Sequence, residues 1–108
     1  MSRADRNRLL RELAELLRVR SVDAVFHPAP PWSHGHGWIA LQAEWGRVVD
    51  AVWYVPAGAH LNAQRLDRSR FVWGSSHFQH QADIAKDLAA TADQIAAQVA
   101  ELQAGEVR

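Results

Sequence analysis

The sequence predicts an α+β two-layer fold in one domain, residues 1–108. An N-terminal helix and a long C-terminal helix flank an antiparallel sheet of three to four strands, centred on a hairpin at 38–55. Three observations predict it. Leucines at helical spacing fill the first eighteen residues, two runs of β-branched and aromatic residues flank Gly46-Arg47, and an alanine-widened apolar stripe occupies the last quarter.

The hairpin organises the rest. A glycine at the first central position of a two-residue turn favours a type II′ geometry. That turn sets Trp45 opposite Val48 and, continuing outward, Trp38 opposite Val55. Alternation then gives one face Ile39, Leu41, Ala43, Trp45, Val48, Val52 and Tyr54, interrupted by Asp50. The other face takes Trp38, Ala40, Val49, Ala51, Trp53 and Val55, interrupted by Gln42 and Glu44. A hairpin with one wet face should be polar on that face. Both faces here are apolar, so either both are covered or one meets a partner.

The N-terminal helix is expected over Ser2 to Arg18. Ser2 is its cap, with Asp5 at the capping-box position. Leu9, Leu10, Leu13, Leu16 and Leu17 form one stripe. The opposite side carries Arg3, Arg6, Arg8, Arg11 and Arg18, interrupted by Asp5, Glu12 and Glu15. That pattern is expected to form i,i+4 pairs such as Arg8–Glu12 and Arg11–Glu15 rather than a phosphate-binding face.

Ser21 to His27 alternates as a short strand, stopped by Pro28, Pro30 and Pro31. Pro28 to Gly37 is an extended, polyproline-like loop bearing Trp32, His34 and His36. Pro56-Ala57-Gly58 makes a turn. Ala59 to Arg70 reads as an irregular crossing or a short helical turn around Leu61 to Leu66, and Phe71 to Trp73 as one more strand. Ser76, with Gln79 three residues on, reads as the cap of a C-terminal helix reaching about Ala104, with Gly105 after it. Its stripe is Ile84, Leu88, Ala92, Ile95, Val99 and Leu102. The exposed side is acidic, which would let this helix lie beside the basic one. Two helices on one sheet face leave the other face bare, an arrangement that predicts a partner or a homodimer.

Composition excludes several classes. There are no cysteines, so neither disulfides nor thiolate metal sites form. Twelve basic residues balance twelve acidic ones, which gives no global attraction to nucleic acid or membrane. No apolar run approaches a spanning helix and no secretory pattern opens the chain, so a soluble cytoplasmic protein is expected. Arginine supplies eleven of the twelve basic residues, a usage associated with GC-rich bacterial or phage genomes.

The histidines offer a candidate metal set. His34 and His36 form an H-x-H pair, and His77 and His80 an H-x-x-H pair sharing one face if helical. No H-E-x-x-H or deaminase pattern accompanies them, and no cofactor is expected.

For nucleic acid, Arg65, Arg68 and Arg70 lie near Phe71 and Trp73, pairing charge with stacking groups. The order helix, three strands, helix resembles that of the double-stranded RNA-binding domain. That resemblance implies a Lys-rich opening of the last helix gripping phosphates. The matching stretch, Gln79-His80-Gln81-Ala82-Asp83, has no lysine and adds an aspartate.

For catalysis there is no Gly-rich phosphate loop, nucleophile elbow or paired-carboxylate motif, so no catalytic residue is assigned. Asp50 is the acid to follow, since it interrupts an apolar face and must be paired or lie at the rim. The tryptophans point to contact. Trp32, Trp38 and Trp53, with Val49 and Val55, are the expected partner-binding residues. The function expected is a small non-enzymatic protein-binding module of adaptor, regulator or inhibitor type. It would act through the Trp-bearing sheet face and the alanine-rich helix.

Overall fold

A computed structural model describes residues 2–29, 37–42, 46–74, 80–85 and 87–106, with the backbone alone for 103–106. Its elements are α1 (Arg3–Val19), β1 (Asp23–His27), β2 (Trp38–Gln42), β3 (Val48–Val55), β4 (His60–Leu61), β5 (Gln64–Arg65), β6 (Arg70–Trp73), β7 (His80–Asp83) and α2 (Leu88–Glu106). The main sheet is an antiparallel meander of five strands in the order β1-β2-β3-β6-β7. β4 and β5 form a separate two-stranded finger between β3 and β6. The two-layer α+β plan holds, with more strands than the three to four expected.

α1 begins at the expected capping box: the Ser2 hydroxyl accepts the Asp5 backbone N–H, and the Asp5 carboxylate accepts the Ser2 backbone N–H. Leu10, Leu13, Ala14 and Leu17 are buried. The helix charges pair differently from expectation. Arg8 bonds Asp5 at 3.1 Å, Glu15 bonds Arg18, and Arg11 lies over the Phe26 ring, 4.9 Å from its centroid. The two ion pairs are i,i+3 partners, as close on a helix surface as the i,i+4 pairs expected.

The β2–β3 register departs from expectation. Ile39 pairs with Val52, Ala40 with Ala51 and Leu41 with Asp50, an offset of two residues. That register does not fit a two-residue turn at Gly46-Arg47; residues 43–45 lie outside the described residues, and Gly46 takes a φ of 74° that suits glycine. An offset of two preserves which face each side chain occupies, because strand side chains repeat every two residues. A bulge between Leu41 and Gln42 then sets Gln42 opposite Val48. It turns Val48 to the face of Trp38 and Ala40, with Val48 52% exposed, while Val49 packs against the core. The sequence reading had these two valines the other way round.

The C-terminal region also differs. The expected helix does not run through 80–83: His80 to Asp83 is strand β7, paired with β6 from Arg70–Asp83 to Trp73–His80. The expected cap of Ser76 and Gln79 lies outside the described residues. α2 starts at Leu88, where the Asp87 carboxylate accepts the Ala89 N–H at 3.1 Å, and the helix continues through Gly105. Ile84 therefore precedes the helix, packed against the core edge. Residues 59–70, expected to be irregular or helical, contain the finger. Asn62 and Ala63 both have positive φ (51° and 67°), as a type I′ turn requires.

One core joins Leu10, Leu13, Ala14 and Leu17 of α1 and Ala92, Ile95 and Val99 of α2 to Ala24, Ile39, Leu41, Val52, Tyr54, Phe71, Trp73 and Ala82. All these strand residues share one face of the sheet. Both helices therefore cover that face, with Arg20 bonding Asp93 at 2.6 Å between them. At the β1 edge, Arg18 Nε donates to the Ala24 carbonyl at 3.0 Å and so occupies an edge-strand acceptor.

Candidate functional site

The face away from the helices is built by register. Alternation and the paired residues place Val25 and His27 of β1, Trp38 and Ala40 of β2, Val48, Ala51, Trp53 and Val55 of β3, Arg70 and Val72 of β6, and Gln81 and Asp83 of β7 on it.

Three aromatic rings cross this face in a row. His27 stacks on Trp38, with centroids 4.7 Å apart and planes 20° apart, and Trp38 stacks on Trp53 at 5.1 Å and 14°. These spacings match the ~4.8 Å between neighbouring strands. The rings therefore stand side by side, one per strand, with their edges outward. Both faces of Trp38 are covered by its neighbours.

The β6–β7 half is different. Arg70 donates to Gln81 Oε1 at 3.0 Å and to Asp67 at 3.0 Å, linking the side chains that flank Val72. Val72 is fully buried although it lies on this face. The Arg70 Nε is buried without an acceptor. The apolar part of the face is thus a strip over β1 to β3. At ~4.8 Å per strand and ~3.3 Å per residue it measures roughly 14 by 24 Å, within the range of the largest patch on a typical monomer. Trp38, Ala51, Trp53 and Val55 are half-buried in it.

The structure thus brings Trp38, Trp53 and Val55 together on this strip. Val49 leaves it through the bulge and Val48 enters, a substitution no sequence signal marks between two adjacent valines. Trp32 lies outside the described residues. His27 was not singled out from the sequence; its alternation with Val25, followed by pairing to the start of β2, was the available signal.

The other expected groups are dispersed. Arg68 bonds Asp83 at 3.3 Å and Arg70 bonds Asp67, so two of the three arginines carry a carboxylate. Arg65, exposed on the finger, has no ion pair among the described residues. It lines an open shelf of about 500 Å³ with Ala57, Gly58, Leu66 and Asp67. Of the four candidate metal ligands, His34, His36 and His77 lie outside the described residues. His80 stacks on Trp73 with centroids 5.8 Å apart, in a strand and not on the helix face expected. Among the described residues no group of three or more His, Asp or Glu side chains is arranged to hold a metal.

Asp50 is 8% exposed on the core face. Its carboxylate accepts the Gly74 N–H at 3.1 and 3.2 Å and the Ala51 N–H at 2.7 Å. Backbone donors thus satisfy it, which is the pairing its position demanded. The exposed acids Asp5, Asp67 and Asp83 are held below the ordinary value of 3.8. The main causes are hydrogen bonds from the Ser2 hydroxyl, the Arg70 guanidinium and the Ala85 backbone N–H respectively.

No helix among the described residues is long and apolar enough to cross a membrane. The chain matches no known family model, curated protein or solved structure.

Proposed function

We propose that this chain is a small non-enzymatic protein-binding module, of adaptor, regulator or inhibitor type, and that the strip over β1 to β3 is its contact surface. The observation that supports this reading is the placement of both helices on one sheet face. Among the described residues it leaves the His27–Trp38–Trp53 row without a covering helix. Tryptophans at the centre of an uncharged strip, rimmed by Asp23, Gln81 and Asp83, have the composition of a contact centre with a polar rim. The alanine-rich helix contributes indirectly, since Ala92, Ile95 and Val99 are spent on the chain's own core. The partner is another protein or a second copy of this chain, met in the cytoplasm.

Site-specific photocrosslinking tests it. A benzophenone amino acid at Ala51, in the middle of the strip, should give a discrete adduct in the cells that make the protein. The same group at Glu101, exposed on α2, should give none, and Trp53→Asp should abolish the Ala51 adduct. Absence of any adduct from Ala51 would overturn the reading.

A further inference from the structure

We draw no further inference here: the strongest candidate, the helix-free strip over β1 to β3 with its stacked His27–Trp38–Trp53 row, belongs to the site already described, and nothing in the structure shows what covers it.

Discussion

Asp50 on β3 holds Gly74, the residue that ends β6, through two contacts of its carboxylate with one backbone N–H, at 3.1 and 3.2 Å. Both residues are buried. Asp50→Ala would leave the Gly74 N–H without that acceptor, which costs about 1–3 kcal/mol. Urea unfolding should show that loss, with Asp50→Asn losing less because it keeps one acceptor oxygen. Equal stability of wild type and Asp50→Ala would mean the carboxylate is dispensable to the fold.

Gly37 sits immediately before β2 with no room for a side chain. A Cβ there would lie 2.5 Å from the Phe26 ring and 2.6 Å from the His27 carbonyl oxygen. Gly37→Ala should therefore cost about 1–3 kcal/mol, the usual toll of overpacking, read as a lower denaturation midpoint. A neutral result would show that Phe26 can swing away freely.

Ala63 at the fingertip has the opposite problem. Its φ of 67° lies in the left-handed region, which costs a residue with a Cβ roughly 1–2 kcal/mol. Ala63→Gly removes that strain, offset in part by the greater freedom of glycine in the unfolded chain. A net gain of about 0.5 kcal/mol is expected by thermal unfolding. Asn62→Gly should change less, since asparagine tolerates this conformation.

Acid sensitivity follows from the three depressed carboxylates. Each of Asp5, Asp67 and Asp83 has a folded-state value below its ordinary 3.8. Their contribution is therefore present above that value and is lost as pH falls through the lower folded-state values. Stability should be level on the alkaline side of this window and decline within it. Asp83→Asn, which weakens the bonds to Ala85 and Arg68, should make the decline shallower. An unchanged acid limb would place the sensitivity on other groups.

Much of this fold is written locally, and what is not depends on distant pairing. The Ser2–Asp5 box and the leucine stripe specify α1 within a few residues. The two faces of β3 survive a register error because an offset of two keeps parity. The bulge cannot be seen, since Val48 and Val49 are chemically identical and only their pairing to Gln42 separates them. β7 is hidden for a related reason. His80-Gln81-Ala82-Asp83 has no β-branched residue, and pairing with β6 overrides its weak local preference. The Trp38–Trp53 contact was implied by their shared face, whereas the stacked row with His27 needed the third strand's register.

The place of α2 in the chain bears on how the protein comes off the ribosome. Neighbours in the sheet are neighbours in sequence, apart from the short finger, so α1 and the five strands can associate with small loop-closure costs while translation continues. Ala92, Ile95 and Val99, however, are made only after all five strands. Until they emerge, the nascent chain must carry its core without the residues α2 adds to it, alongside the tryptophans of the opposite face. During that interval the sheet has two apolar sides, which makes it a client for holding chaperones and gives a reason for translation through residues 88–99 to be rapid.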